Sequence, residues 1–316
     1  MYPVILVPVD GSKLAERALS LAIPLAEQHH ATLLLVHAHA PMMPLTFGGG
    51  APVGDAALDE QLERDSRTYV ERLARRTAKL TEVPVEAVFR TGKVVPTLCA
   101  VAAERGVGLI VMSTHGRGGF QRLWLGSVAD ALVRHATVPV LLVRGARPTA
   151  KRMAGAPPFV RFLVPVDGSA RAEAAIDAAK TLAGNAPTRL VLVHVIHPMS
   201  AVAGMNLKRD PVAELTAAYL EPLARRVATA SLDIRMDARV DANVARVLLE
   251  AVEQHDADLI VMSGQGLSGV QRLLVGSVAD KLIRTATGPV LVVPRAEGDA
   301  TIQACRSRSD PRASRR

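Results

Sequence analysis

The sequence is poor in aromatic residues and in cysteine. Aromatic residues make up 3% of its 316 residues. The cores must therefore be built from Val, Leu, Ile and Ala, which is typical of parallel strands buried on both faces. The two cysteines, Cys99 and Cys305, are far apart and belong to no CxxC pair. This pattern argues against a disulfide framework or a zinc site and fits a reducing cytoplasm.

The sequence also lacks a long hydrophobic run. No apolar stretch reaches the roughly 18 residues that a membrane-spanning helix requires. The N-terminus enters the apolar stretch from Val4 to Val9 almost at once, without the basic region or cleavage site of a signal peptide. We therefore expect a cytoplasmic protein without a membrane partner.

Several catalytic motifs are absent. There is no GxxxxGK[ST] loop, no GxGxxG after the first strand, no GxSxG elbow and no HExxH helix. These absences exclude the P-loop NTPases, the dinucleotide-binding Rossmann enzymes and the hydrolases and metalloproteases that those motifs mark. The sequence has no cluster of His and Cys residues that would suggest a resident metal. We therefore expect a protein without a catalytic constellation.

The net charge of +8 raises the hypothesis of nucleic-acid binding. Part of the basic excess, however, lies in two stretches without hydrophobic periodicity, residues 144–152 and 306–316. Solvated, flexible arms explain such charge, so a nucleic-acid partner is not favoured.

The chain repeats itself. The stretch from Val4 to Ser12 returns from Arg161 to Ser169, and Leu109 to Val143 returns from Leu259 to Val293, with about two-thirds of the latter positions identical. The unit of some 140 residues is too long for a solenoid module and indicates a duplicated domain. We predict domains at 1–145 and 159–295, a linker at 146–158 and a basic, disordered tail at 296–316.

Within each unit, apolar strands alternate with helical stretches, which predicts βαβ units and a doubly wound α/β domain with a parallel sheet. In the first unit we predict strands at Val4–Val9, Thr32–His37, Val85–Arg90, Leu109–Ser113 and Val140–Val143. The helices between them are predicted at Leu14–Gln28, Asp59–Leu80, Val94–Arg105 and Val128–His135. In the second unit, strands are predicted near Phe162, Leu190, Ile234, Leu259 and Val290.

Two strand ends carry the residues that suggest chemistry. The first strand ends in Pro8 to Ser12, and the fourth runs from Met112 to Gly116 and, after nine residues, reaches Gly126 to Val128. Gly116 and Gly126 allow a ligand to approach the backbone, and the helix after Gly126 has an N-terminus suited to phosphate. Asp10 suits a ribose hydroxyl or a phosphate-bound metal.

A purely structural interpretation remains open for the same residues. Ser127 to Asp130 is close to a capping box, and Ser277 to Asp280 repeats it. Ser12 and Asp10 could simply cap the first helix. The coincidence of these features at matching strand ends in both units favours the binding of a nucleotide or another anion.

The Pro-x-Asp-Gly-Ser start, the Leu-Ile-Val-Met strand and the Gly-x9-Gly-Ser loop resemble the universal stress protein family. The resemblance covers nearly all of the chain except the linker and tail. It implies two domains, each a five-stranded parallel sheet of order 3-2-1-4-5. It also implies pairing of the domains through Val140–Val143 and Val290–Val293, after which two chains could form a homodimer.

In one branch of that family the resemblance implies binding of ATP, or of ADP or AMP, with or without Mg²⁺, and at most incidental hydrolysis. That branch has a Gly-x2-Gly-x9-Gly-Ser/Thr pattern, in which Ser113 and Ser263 replace the first Gly here. Asp10 and Asp167 would contact the ribose or metal, and the residues after His37 and His194 would offer backbone atoms to adenine. The residues thus assigned to the nucleotide are Pro8, Val9, Asp10, Ala38, Met112, Ser113, His115, Gly116, Gly126, Ser127 and Val128, with Pro165, Val166, Asp167, Val195, Met262, Ser263, Gly266, Gly276, Ser277 and Val278 in the second unit.

The resemblance leaves two functional hypotheses open. The first is a regulatory stress-response module that binds adenine nucleotide and so changes its contacts with protein partners. The second is a stress protein that binds no nucleotide and acts through protein–protein interaction, which the two serine replacements favour if that position needs a positive φ. We further predict that the first unit binds anions more strongly, because Arg117 adds a cation where the second has Leu267.

Overall fold

The computed structural model describes residues 1–41, 56–114, 125–144, 156–198, 210–264 and 277–294. The strands of the first half are β1 (Val4–Pro8), β2 (Thr32–His39), β3 (Val85–Thr91), β4 (Leu109–Ser113) and β5 (Val140–Val143). The helices of this half are α1 (Lys13–Glu16), α2 (Leu19–His29), α3 (Ala56–Thr77), α4 (Val94–Glu104) and α5 (Ser127–His135).

The second half repeats this order. Its strands are β6 (Arg161–Pro165), β7 (Thr188–Ile196), β8 (Leu232–Val240), β9 (Leu259–Ser263) and β10 (Val290–Val293). Its helices are α6 (Ala170–Ala183), α7 (Pro211–Leu215), which continues through a π-helical turn (Thr216–Leu220) into α8 (Glu221–Val227), α9 (Val244–Gln254) and α10 (Ser277–Thr285).

All ten strands form one sheet of order β3-β2-β1-β4-β5-β10-β9-β6-β7-β8. The pairs within each half are parallel, so each half has the predicted order 3-2-1-4-5 and the α/β fold is confirmed. The halves meet where β5 and β10 pair in antiparallel fashion, with Leu141 opposite Leu291. This is the predicted pairing of the two domains through their last strands.

Helices cover both faces of the sheet and create two apolar layers. One layer joins α2, α3 and α6 to the sheet, and the other joins α4, α5, α9 and α10 to its opposite face. Each layer contains residues of both halves, because the β5–β10 pair continues the sheet across their boundary. Aliphatic side chains fill these layers, as the scarcity of aromatic residues predicted.

Several elements differ from the sequence prediction: α3 spans Ala56–Thr77 instead of Asp59–Leu80, and β2 continues to His39 instead of ending at His37. The helix expected at Leu14–Gln28 is interrupted at Arg17 and Ala18, where the backbone N–H groups bond three residues back instead of four. Pro24, inside α2, donates no hydrogen bond to Ser20, which weakens a regular helix in this region. In addition, β1 ends at Pro8 instead of Val9. None of the helices in the described ranges is long and apolar enough to cross a membrane.

Candidate functional site

The carboxyl ends of β1 and β4 lie side by side in the first half. Ile5 is opposite Leu109 and Leu6 is opposite Ile110, so the same register carried forward brings Pro8 level with Met112. The second half repeats this arrangement, with Phe162 opposite Leu259. The order reverses at these strands, which is where open α/β sheets bind their ligands.

The turn after β1 is formed by Asp10, Gly11 and Ser12. Val9, which precedes it, is buried and donates its N–H to Val36 on β2 at 2.9 Å. Gly11 has a φ of 85°, a conformation that favours glycine. The Asp10 carboxylate accepts the Ser12 N–H at 2.9 Å. The half-buried carboxylate is thereby held at the carboxyl edge of the sheet.

Ser12 caps α1, as the structural interpretation expected. Its hydroxyl oxygen accepts the N–H of Ala15 at 3.1 Å. In the second half, Ser169 accepts the N–H of Ala172 at the same distance, and its hydroxyl donates to Asp167 at 2.6 Å. Capping therefore explains the serines, and each aspartate accepts the backbone N–H of its serine at the strand end.

The capping-box interpretation of Ser127 to Asp130 is wrong. The N-cap of α5 is Gly126, with extended backbone, and no side chain in the described residues caps this helix. The Asp130 carboxylate is not directed toward the start of the helix, as a capping box requires. It instead accepts hydrogen bonds from the Nε and Nη2 atoms of Arg134 at 2.9 and 3.0 Å. The hydrogen bond from Arg134 is also the main reason that the pKa of Asp130 is lowered.

Gly126 and Ser127 lie beside the end of β4, at a helix N-terminus that no side chain in the described part of the chain caps. The Gly126 N–H donates to the Thr114 carbonyl oxygen at 2.8 Å, which ties the start of α5 to that strand. Ser127 is exposed and Val128 is half-buried, and Ser277 and Val278 have the same exposure at the start of α10. A helix N-terminus without a side-chain cap offers its backbone N–H groups to an anion.

The serines that replace glycine occupy ordinary strand backbone. Ser113 pairs with Val143 in the last register position of β4 and β5, and Ser263 pairs with Val293 in the second half. Among the described residues, the non-glycine positions with positive φ are His30 and Asp256. A β-carbon therefore causes no backbone strain at Ser113 or Ser263.

The remaining predicted positions fall into two groups. Ala38 follows His37 near the end of β2, opposite Arg90, and Val195 has the equivalent place opposite Arg239. Both are half-buried at the carboxyl edge, as are Pro165 and Asp167, while Val166 and Met262 are buried. The predicted positions His115, Gly116, Gly266 and Gly276 lie outside the described residues, as does Arg117.

The sequence analysis missed a polar group that lies behind each Asp-Gly-Ser turn. In the first half the Tyr69 hydroxyl donates to Glu16 at 3.1 Å, and Arg76 donates to the other oxygen of that carboxylate. In the second half Tyr219, Glu173 and Arg226 repeat the group. Alignment of the two repeats could have revealed it, because each tyrosine precedes its arginine by seven residues.

The surroundings shift the pKa values of these groups. Burial, followed by the charge of Glu173, raises the pKa of Tyr219 to about 12, and burial and Glu16 raise that of Tyr69. Burial lowers the pKa of His194, and the negative charge of Asp167 partly offsets this lowering. The tyrosines are therefore protonated hydrogen-bond donors at neutral pH, and His194 is neutral there.

The described residues include no group of three or more His, Cys, Asp or Glu side chains that could hold a metal ion. Each half nevertheless has a carboxylate, Asp10 or Asp167, shortly after the end of its first strand. Mg²⁺ that enters with a nucleotide needs only one or two protein carboxylates, because the phosphates supply further oxygen ligands. The donor set thus fits a metal carried by the nucleotide better than a resident one.

Comparison with known proteins places these features in context. The sequence profile of the universal stress protein family matches residues 1–144 and 158–294. A universal stress protein of Mycolicibacterium smegmatis is 28% identical over 300 residues, which cover 92% of this chain and 96% of the relative. A universal stress protein of Thermus aquaticus is 38% identical over 145 residues, which are 46% of this chain and all of the relative.

A solved structure shares the same fold. The crystal structure of a universal stress protein from Archaeoglobus fulgidus superposes with a TM-score of 0.70 at 19% identity, covering 93% of this chain and 99% of the other. Similarity at this identity concerns the fold, and the two-half arrangement extends over nearly the full length of both chains.

Proposed function

This chain belongs to the universal stress protein family, with two domains of that family in tandem, and on that premise we propose that it is a cytoplasmic regulatory module that binds adenine nucleotide. The nucleotide would bind at the carboxyl edge of each half, between the Asp-Gly-Ser turn and the helix that begins after the glycine-bearing loop. Binding would change how the protein contacts its protein partners, rather than start a reaction.

The N-terminus of α5, which no side chain of the described residues caps, is the observation that carries the proposal. A helix that begins at a sheet edge with Gly126 as N-cap has backbone N–H groups that no side chain of the described residues caps, and this end of its dipole is positive. The residue type at Ser127 adds a hydroxyl donor, and the Asp10 carboxylate lies on the neighbouring strand end. The helix N-terminus thus suits phosphate, and the Asp10 carboxylate suits a ribose hydroxyl or a phosphate-bound Mg²⁺.

Replacement of the N-cap separates phosphate binding from folding. Aspartate is a favourable N-cap, so Gly126→Asp should keep the free energy of unfolding within about 1 kcal/mol of the original. Its carboxylate would occupy the N–H groups and repel phosphate, and we expect the affinity for ATP to fall at least tenfold. Gly126→Asn is the matched control, because it caps the helix without the charge and should reduce affinity less.

The first measurement is the nucleotide content of freshly purified protein, obtained by denaturation, chromatography and mass spectrometry. About one or two adenine nucleotides per chain would support the proposal, with calorimetric titration of ATP and MgCl₂ giving the affinity. A protein that is purified empty and fails to bind ATP with Mg²⁺ would overturn it. The alternative function, protein–protein interaction without nucleotide, would then remain.

The ordinary backbone at Ser113 and Ser263 bears on that alternative. The serine replacements favoured it only if their position required a positive φ, and both residues lie in regular strand pairs. The nucleotide-binding proposal therefore has the better physical support of the two.

A further inference from the structure

A tyrosine hydroxyl connects the second Asp-Gly-Ser turn to the π-helical turn Thr216–Leu220. In the second half, the Gly168 N–H donates to the Tyr219 hydroxyl at 3.2 Å, and that hydroxyl donates to Glu173 at 3.3 Å. In the first half, the Tyr69 hydroxyl donates to Glu16 at 3.1 Å, and Gly11 has the place in the turn that Gly168 has in the second half. The tyrosine–glutamate pair thus occurs in both halves, and the hydrogen bond from the turn to the tyrosine is present in the second.

The glutamate partner of each tyrosine hydroxyl is itself held in place. Arg226 donates to the second carboxylate oxygen of Glu173, and Arg76 does the same to Glu16. Because the glutamate accepts from two donors, it fixes the direction of the tyrosine O–H bond. The lone pairs of the hydroxyl oxygen then point to the glycine N–H of the turn.

The tyrosine ring is positioned from the sheet side. His194 on β7 meets the Tyr219 ring edge-to-face with centroids 5.7 Å apart, and His37 meets Tyr69 at 6.2 Å. Edge-to-face pairs at such distances are favourable. The hydroxyl is therefore placed by packing as well as by its hydrogen bonds.

The peptide that the tyrosine holds is the one that follows the aspartate. Gly168 has a φ of 83° and Gly11 one of 85°, so both turns share one conformation. In that conformation the aspartate carboxylate accepts the serine N–H, at 2.9 Å for Asp10 and 3.0 Å for Asp167. Rotation of the held peptide would break this contact and turn the carboxylate away.

We propose that Tyr69 and Tyr219 are positioning residues that hold the Asp10 and Asp167 carboxylates in the direction needed to meet the ribose hydroxyls or the phosphate-bound cation of a nucleotide. The identity of the ligand in this inference rests on the proposed function. The connection from the tyrosine to the turn does not depend on that function. Neither tyrosine needs to touch the nucleotide, because each acts through the aspartate.

The connection can be tested without nucleotide by amide hydrogen exchange of the full chain. Tyr219→Phe keeps the ring and removes the acceptor, so the Gly168 amide should exchange at least tenfold faster. The Val166 amide, which donates to Val193 at 2.9 Å, should keep its rate. Unchanged exchange at Gly168 would overturn the inference.

The third tyrosine is a matched control. Tyr2 is buried, and its hydroxyl has no hydrogen-bond partner among the described residues. Tyr2→Phe should leave exchange at Gly168 and Gly11 unchanged. If it accelerated exchange there as much as Tyr219→Phe, loss of any buried hydroxyl would explain the effect and the specific role would be refuted.

A double-mutant cycle tests the action through the aspartate. Tyr69→Phe and Asp10→Asn should each lower the ATP affinity about tenfold, and the double variant should bind no more weakly than Asp10→Asn alone. If the double variant lost about 100-fold in ATP affinity, which is the product of the two single losses, the positioning role would be refuted. If the original protein bound no ATP, the proposed function would fail, while the exchange experiment would still decide the connection.

Discussion

The Nε2 atom of His29, in the first half of the chain, lies 3.2 Å from the carbonyl oxygen of Leu182 in the second half. The neighbouring Gln28 donates from Nε2 to the carbonyl oxygens of Leu182 and Ala183 at 2.8 and 3.0 Å. Side chains at the C-terminal end of α2 thus satisfy carbonyl groups at the C-terminal end of α6. The halves are joined at this helix contact as well as by the β5–β10 strand pair.

Removal of the Gln28 amide should weaken the contact between the halves. Gln28→Ala leaves two carbonyl groups of α6 without that donor, and we expect the free energy of unfolding to fall by about 1–2 kcal/mol. Urea unfolding followed by circular dichroism measures the change. Gln61→Ala, on the exposed face of α3, is the control and should change stability by less than about 0.5 kcal/mol. Equal effects of the two changes would contradict a role for Gln28 between the halves.

Stability should decrease as the pH falls below about 6.5, the ordinary histidine value. Burial lowers the pKa of His29 and of His194 in the folded protein. Below the unfolded-state pKa, the unfolded chain binds protons that the folded chain refuses, so acid favours unfolding. The effect is absent above that pKa and grows until the pH reaches the lowered folded-state values.

Urea unfolding at pH 7.5 and 5.5 measures this dependence. His29→Gln should reduce the difference between the two pH values, because it removes one of the two histidines named above whose pKa is lowered by burial. His135→Gln, at an exposed position, is the control variant and should reduce the difference less than His29→Gln does. A chain equally stable at both pH values would show that neither histidine resists protonation when folded.

Restoration of the family glycine should not improve nucleotide binding. Ser113 has strand backbone, so Ser113→Gly relieves no strain and should change the ATP affinity by less than about threefold. The added freedom of glycine in a strand should lower stability by roughly 0.5–1 kcal/mol. Calorimetric titration with ATP and urea unfolding give the two values. An affinity gain of tenfold or more would mean that the serine side chain obstructs the site.

The first half should bind ATP more strongly than the second. Arg117 offers a cation in the first loop where the second has Leu267, and a charge-assisted contact to phosphate strengthens binding. Arg117→Gln should therefore lower the affinity of the tighter site about tenfold, whereas Arg64→Gln, on the exposed side of α3, should not. Titration of Asp10→Asn and Asp167→Asn variants identifies which half holds the tighter site. A tighter site in the second half would refute the prediction.

Much of the fold could be predicted from the sequence because it depends on local patterns. Apolar runs that alternate with amphipathic stretches, repeated after some 150 residues, determine the parallel α/β class and the number of strands. The strand order of each half came from the family resemblance and is confirmed. Local reasoning was less accurate at helix ends, where the interruption at Arg17 and the N-cap at Gly126 depend on backbone geometry.

The sequence by itself determined the duplicated domain, the aliphatic cores and the positions of the Asp-Gly-Ser and Gly-Ser segments. Only the tertiary structure decided what those segments are attached to. The role of Tyr69 depends on Glu16, 53 residues earlier, and that of Gln28 on a carbonyl group 154 residues later. Contacts over such separations follow from how the helices pack on a shared sheet, and no local pattern of residues encodes them.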